Sequence, residues 1–287
     1  MSRVHKPHRW QWLWLIPAAL LVWWPLWFLF MGALMSQEEL RLTIGPALGL
    51  GTGYTVWHLL PDWPTLEPLL TLLLDTPQFF VMFWNSIDQS VAQVAGNLLV
   101  DAPAAWAISR LRFRGRSMVR GLYIVLMLLP FQVTMVPSYL VLRQFGLLDT
   151  PWAIILPGIF STFPVFIMER GFDTVPREVL ESASIDGANQ WQRFWRIGIP
   201  LGIPGLISAL TLGFLDAWNA IEQPMTFLES PQYWPLSLFF TDPANLDTKQ
   251  LGLAMAASLW MLLPSILAFR FGQTYLEAGL TKGAVKG

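Results

Sequence analysis

Apolar residues in this chain run in long blocks, with little of the strict alternation of a half-buried strand. About 20 consecutive apolar residues carry a helix across a hydrocarbon layer, because a spanning segment must satisfy its backbone polar groups internally. Six stretches approach or exceed that length: Trp12 to Met35, Phe79 to Ile108, Gly121 to Leu142, Pro151 to Met168, Leu201 to Ile221 and Leu251 to Phe271. They predict an all-α integral membrane protein with six transmembrane helices. Pro17, Pro25, Pro130, Pro137, Pro157 and Pro164 fall inside three of these blocks, each removing one helix hydrogen bond. Kinked static bundles and moving pathways both use such breaks. Leu42 to Leu60 is also nearly uncharged, but Gly45, Pro46, Gly49, Gly51 and Gly53 oppose a regular helix there. With Pro61, Pro64, Pro68 and Pro77 following, residues 36–78 read as an ordered, turn-rich excursion outside the membrane.

Charge orients the spans. Arg3, Lys6 and Arg9, the five arginines from Arg110 to Arg120, Arg170, Arg177, Arg193 and Arg196, and Arg270, Lys282 and Lys286 all fall on one side, fifteen of the eighteen basic residues. The opposite side receives only Arg41, Arg143 and Lys249, but collects Glu38, Glu39, Asp62, Glu67, Asp75, Asp149, Glu229, Asp242 and Asp247. The positive-inside rule makes both termini cytoplasmic. The expected organisation is a tail at 1–11, a first helix at 12–35, the extracytoplasmic excursion 36–78, a five-helix core at 79–272 with a cytoplasmic loop at 171–200, and a cytoplasmic tail at 273–287.

Composition agrees, with 54% hydrophobic and 13% charged residues, and with sixteen Trp and nineteen Phe suited to aromatic belts at membrane surfaces. A net charge of −1 gives no basic field for nucleic acid, and the lack of cysteine excludes disulfides and thiolate chemistry.

The loop after the fourth span reads GFDTVPREVLESASIDGANQWQRFWRIGIP. Asp173 or Thr174 is expected to cap a short helix with Pro176 in its first turn, running to about Ile185 with Val175, Val179 and Ala183 on one stripe. Asp186 and Gly187 supply a break, and a second short helix begins near Asn189, carrying Trp191, Phe194, Trp195 and Ile197 among Arg193 and Arg196. Periodicity alone describes an interfacial helical hairpin.

The spacing narrows this. Glu181-Ser182-Ala183, three residues, Gly187, nine residues, Ile197, one residue, then Ile199-Pro200 resembles the coupling-loop signature of ABC importer permeases, Glu-Ala-Ala at its start and Leu-Pro at its end, with departures at Ser182 and Ile199. Asn85-Ser86, Ser109-Arg110, Phe113-Arg114-Gly115, Leu129-Pro130, Gly146-Leu147, Asp149-Thr150, Trp218-Asn219 and the tail from Glu277 to Gly287 are similar to the maltose-type carbohydrate branch. The resemblance implies a type I importer fold and partners: a second homologous permease, two ATP-binding subunits holding ATP and Mg, and an extracytoplasmic solute-binding protein, all set in membrane lipid. It implies that Glu181, Ser182, Ala183, Asp186, Gly187, Ile197 and Pro200 couple to the ATPase, and that the tail at Gly279, Gly283 and Lys286 contacts the ATPase dimer.

The residues themselves offer no catalytic constellation. The three histidines, His5, His8 and His58, show no zinc-ligand spacing with a third ligand, so no metal site is expected. Gly49-Leu50-Gly51-Thr52-Gly53 lacks the phosphate-loop Lys, so this chain is expected to bind no cofactor of its own. Polar residues within spans are the remaining candidates. Asn85 and Asp88, three apart on one helical face, suit either sugar hydroxyls or a bridge between helices. Asp101 is expected to pair with the nearby arginines. Asp216, Trp218 and Asn219 combine an aromatic face with hydrogen-bonding groups and mark the fifth span as a candidate substrate pathway, with helix packing as the alternative role for Asn219. On the same scaffold, a polyol or glycerophosphodiester importer is the nearest alternative. An ATP-independent secondary transporter is the alternative from another class, although no internal repeat speaks for it.

Overall fold

The computed structural model describes residues 9–48, 54–56, 58–239 and 251–284. Among the described residues there is no strand. Five helices among the described residues are long and apolar enough to span a membrane: Trp12–Gly32, Pro77–Arg110, Trp152–Asp173, Gln190–Trp218 and Leu251–Glu277. The expected Gly121–Leu142 span is two helices, α5 (Arg116–Met127) and α6 (Phe131–Gln144), bent by 103°. Pro130 causes the break: it has no N–H to continue the ladder and sits extended as the N-cap of α6, with φ −67° and ψ 151°. Counted as one span, this bent pair makes a sixth.

Two compact units divide the chain, Met1–Phe80 with Phe239–Leu262, and Val81–Leu238 with Leu263–Gly287. In the first unit, α1 (Arg9–Gly32) is apolar on every side and almost entirely exposed, as a bilayer-facing helix must be. Residues 36–78 contain α2 (Gln37–Ile44), a 3₁₀ turn at Gly45–Leu48, α3 (Glu67–Leu70) and a π turn at Thr71–Asp75, so no described stretch between Leu42 and Leu60 is a span. Ser36 caps α2 by accepting from Glu39 N–H at 3.2 Å, and Met31, Met35 and Leu40 form a small core. The Thr65 N–H donates to the Leu34 carbonyl at 2.8 Å, fastening the excursion to the end of the first span.

The second unit holds α4 (Pro77–Arg110) from Val81 onward, then α5 and α6. It continues through α7 (Trp152–Ile159), α8 (Thr162–Asp173), α9 (Arg177–Ile185), α10 (Gln190–Arg193), α11 (Ile199–Trp218), α12 (Glu222–Phe227) and the later part of α13 (Leu251–Ala284). Helices α8 and α11 touch backbone to backbone, since a Cβ built on Gly171 would lie 2.6 Å from the Gly205 Cα. Any side chain at either glycine would force the helices apart. Around this contact, Trp106 of α4, Phe172 of α8 and Phe194 form an aromatic triangle, the Trp106 and Phe172 rings meeting edgewise at 5.3 Å. Helix α13 continues unbroken past residue 272 to Ala284.

Candidate functional site

Helix α9 ends in a Schellman turn. Gly187 takes φ +83°, its N–H donates to the Ser184 carbonyl at 3.2 Å, and the Ala188 N–H reaches back to Ala183 O at 2.9 Å. A Cβ on Gly187 would meet nothing within 4 Å, so the glycine is required by its left-handed backbone and not by space. Asn189 then starts α10 through a capping box with Gln192, both bonds at 2.9 Å.

Two expectations for this segment are corrected. Neither Asp173 nor Thr174 caps α9: Pro176 is its N-cap, without a side-chain bond, while the Thr174 hydroxyl donates to Gly171 O and the Asp173 carboxylate accepts from the Ser109 hydroxyl at 2.6 Å. The second element is also not a separate short helix. Pro200 cannot continue the α ladder, and α10 passes through a π turn at Phe194–Gly198 directly into α11.

The expected stripe divides as well. Val175 is buried, Leu180 packs on the Trp106–Phe172–Phe194 core, and Val179 and Ile185 are exposed, Ile185 to 87%. Glu181, Ser182, Asp186 and Gly187 are exposed, Ala183 and Ile197 are half-buried, and Pro200 is exposed at the start of α11. Glu181 makes no hydrogen bond or ion pair with a described residue. This surface therefore presents apolar and acidic groups that no described residue covers.

Three arginines brace the ends of α4 and α8, and one of them reaches the base of α9. Arg110 Nη2 donates to the carbonyls of Phe172 and Val175, the latter at 2.5 Å. Arg116 closes the end of α4 on Ile108 O and Ser109 O at 2.5 and 2.6 Å. Arg120 pairs with buried Glu169 and lies 3.7 Å from Asp173. The expected partner of these arginines, Asp101, instead accepts from Asn97 Nδ2 at 2.8 Å, one helical turn away in α4. Asn97 also donates to Gly158 O and Ile159 O at 2.9 and 3.2 Å, satisfying carbonyls released where the span breaks between α7 and α8.

A cavity of about 750 Å³ opens between α4, the α7–α8 break, α11 and α12. Asp216 and Asn219 line it together with Gln93, Asn97, Glu222 and Gln223. Asp216 is exposed and has no hydrogen-bond or ion-pair partner among the described residues, whereas Asn219 bonds Leu215 O at 2.7 Å. Trp218 is not with them. It is 1% exposed, stacked on Phe214 at 5.8 Å and edge-on to Phe83 at 5.9 Å, and so belongs to the core.

Asn85 and Asp88 lie outside the cavity lining. The Asn85 amide donates to Gln232 O and Trp234 O at 2.8 and 3.0 Å, Gln89 donates to Tyr233 O at 2.9 Å, and the Leu236 N–H donates to Ser86 Oγ at 2.7 Å. One face of α4 thus lashes down the loop after α12, and Asp88 is exposed beside it. From the other side Asp149, at φ +55°, accepts from the N–H groups of Glu229 and Ser230 at 2.9 and 2.7 Å and from the Ser230 hydroxyl at 2.5 Å. Those bonds, the Ser230 hydroxyl first, hold its carboxyl below the usual carboxylate range. Of the tail residues, Gly279 and Gly283 belong to the last turns of α13, and Lys286 lies outside the described residues. In the first unit His58 Nδ1 is 3.7 Å from Asp62 Oδ1, and Glu39 supplies a third donor within 4.8 Å, a neighbour that the histidine spacing did not reveal. One Glu39 oxygen already accepts from the Asp62 N–H at 2.7 Å.

Residues 102–282 match the family model described as a binding-protein-dependent transport system inner membrane component. The inner membrane ABC transporter permease protein YcjP of Escherichia coli strain K12 is 32% identical over 234 residues, covering 80% of this chain and 83% of that one. The diacetylchitobiose uptake system permease protein DasC of Streptomyces coelicolor is 31% identical, covering 74% and 78%. A bacterial ABC transporter involved in the import of the acidic polysaccharide alginate shares the fold, with a TM-score of 0.75 and 24% identity over 92% of this chain and 94% of that one.

Proposed function

Because this chain belongs to the family of binding-protein-dependent transport system inner membrane components, we propose that it passes a sugar or oligosaccharide across the inner membrane as one of two homologous permease subunits in an ATP-driven importer. Two ATP-binding subunits hold ATP and Mg and hydrolyse the nucleotide, and an extracytoplasmic binding protein delivers the solute. Both termini and the α9–α10 turn face the cytoplasm, a topology supported by the fifteen basic residues gathered on that side. The first span precedes an extracytoplasmic excursion at 36–78, and the end of α13 around Gly279, Gly283 and Lys286 contacts the ATPase dimer.

The observation that carries this reading is the uncovered face of α9. Its Schellman turn sets its shape without help from a partner, and its base is tied by Arg110 to α8. A cleft on the ATPase that closes on Val179, Glu181 and Ile185 therefore moves α8, and through the Gly171–Gly205 contact it moves α11 and the cavity wall. Alternating access follows: ATP binding draws the α9 turns together and turns the cavity outward, and hydrolysis reverses the movement.

Because the chain has no cysteine, each of Ser182→Cys, Ser184→Cys and Asp186→Cys introduces a single thiol. In the assembled, active complex all three are expected to crosslink to an ATPase subunit bearing a thiol in its cleft. Failure at all three positions, with transport intact, removes the docking role.

A further inference from the structure

The carbohydrate reading leaves the charge of the cargo open, and the cavity of the second unit bears on it. Its ionisable lining residues are Asp216 and Glu222, both acidic, and no Lys, Arg or His lines it among the described residues. The side-chain amides of Gln93, Asn97, Asn219 and Gln223 also line it; Asn97 and Asn219 have N–H groups committed to Asp101, Gly158 O and Ile159 O and to Leu215 O, whereas those of Gln93 and Gln223 make no hydrogen bond to a described residue. Asp216 has both oxygens free, and Glu222 has one taken by Gln132 Nε2 at 2.8 Å. This unit's arginine cluster stands outside the lining, with Arg110 and Arg116 held on helix-end carbonyls and Arg120 on Glu169.

We propose that this half of the pathway selects against anionic glycans and takes sugars that are uncharged or carry amino groups. The inference rests on the carbohydrate reading and adds the charge class to it. An amide presents both donor and acceptor to a sugar hydroxyl without requiring charge. A uronate carboxylate in the same cavity meets two like charges, at low dielectric and with no cation to neutralise it. An ammonium group meets two unlike charges. Of this unit's residues that charge topology puts on the outer side, Asp149 and Glu229 are acidic and Arg143 is basic, which leaves no net positive charge there to concentrate anions. A fold shared with an importer of another cargo does not carry that cargo's charge with it.

The test titrates the purified complex of both permeases and the ATPase subunits, in nanodiscs without the binding protein, at pH 7. The probes are three trisaccharides: maltotriose, triglucosamine and trigalacturonate. Trigalacturonate is expected to bind at least about tenfold more weakly than maltotriose, the size of effect that one unfavourable charge contact produces in a partly hydrated site. The double variant Asp216→Asn/Glu222→Gln is expected to narrow that ratio to within about threefold, by the same contact energies. Co-elution of all the subunits on size-exclusion chromatography reports that the variant complex has assembled. Trigalacturonate binding as tightly as maltotriose, or a ratio the double variant leaves unmoved, overturns the inference while the carbohydrate reading stands. If none of the three binds, the carbohydrate reading fails and this inference falls with it.

Discussion

The turn between α9 and α10 and the loop that follows α12 are both irregular segments of the second unit, and they are held by opposite means. The α9 turn keeps its shape through its own backbone, by the Gly187 Schellman bonds and the Asn189 capping box, and leaves most of its side chains exposed. The loop after α12 makes only local turns itself and is pinned from outside by Asn85, Ser86 and Gln89 on one flank and Asp149 on the other. A self-shaped segment can be moved as a rigid piece without losing its form. A segment lashed by side chains keeps its place relative to those helices and loosens when a lash is cut. The first arrangement suits a lever that a partner grips, and the second suits a fixed wall.

The comparison breaks most sharply at Gly187. Valine there needs the left-handed backbone at φ +83°, which disfavours β-branched residues by more than the roughly 1–2 kcal/mol of an ordinary residue. Since a Cβ has open space at this site, insertion and assembly are expected to survive Gly187→Val while the turn rearranges. Solute-stimulated ATPase activity and uptake in proteoliposomes are expected to fall by about tenfold or more, on the same estimate of backbone cost. Unchanged uptake would show that the turn is not a lever.

The α9 turn was legible in the sequence because its signals are local. Gly187 one residue after the cap, and Asn189 three before Gln192, decide the backbone within a few positions, and the helix end at Ile185 follows. The spans were legible for a similar reason, since each is a block of apolar residues. Where the reading stayed open or erred, the deciding contacts involved elements far along the chain. Asn85 has its partners 147 and 149 residues away, and nothing in α4 announces them. Asp101 went to Asn97 because the arginines had closer business with the carbonyls and carboxylates at the end of α8. Trp218, beside Asn219 in sequence, turned inward to Phe83 and Phe214, because neighbouring residues on a helix point about 100° apart. The 103° break at Pro130 was visible as a proline, but its size depends on what the two halves pack against.

Cutting the lash on the α4 side tests the other half of the comparison. Asn85→Ala strips two loop carbonyls of their donor, and the loop is expected to open about tenfold more often, the equivalent of a hydrogen bond or two. Hydrogen exchange at the amides of Tyr233, Trp234 and Leu236 reads this directly, and the α9 amides are expected to be unaffected. Equal loosening of both segments would mean that they are not held independently.

The smallest effect is expected at Asp149, where the position is half-exposed and only the charge and the acceptor oxygen facing the Ser230 hydroxyl are removed. Asparagine tolerates the left-handed backbone at φ +55°, and its amide oxygen still accepts from Glu229 and Ser230, so Asp149→Asn isolates the carboxylate. At pH 7 the protection of the Ser230 amide is expected to fall roughly fivefold, a charge-assisted bond discounted for solvent screening. The pH dependence carries the sign. The folded carboxyl titrates below its usual range, so its contribution is complete above that range and is lost as pH falls through the lowered value. Wild-type protection, corrected for intrinsic exchange, should therefore hold level from pH 7 to about 5 and decline near and below about pH 4, whereas the asparagine variant, with no proton to gain, stays lower and flat. A wild-type curve as flat as the variant's would mean that the loop is held by shape alone and that the charge at Asp149 contributes nothing to the wall.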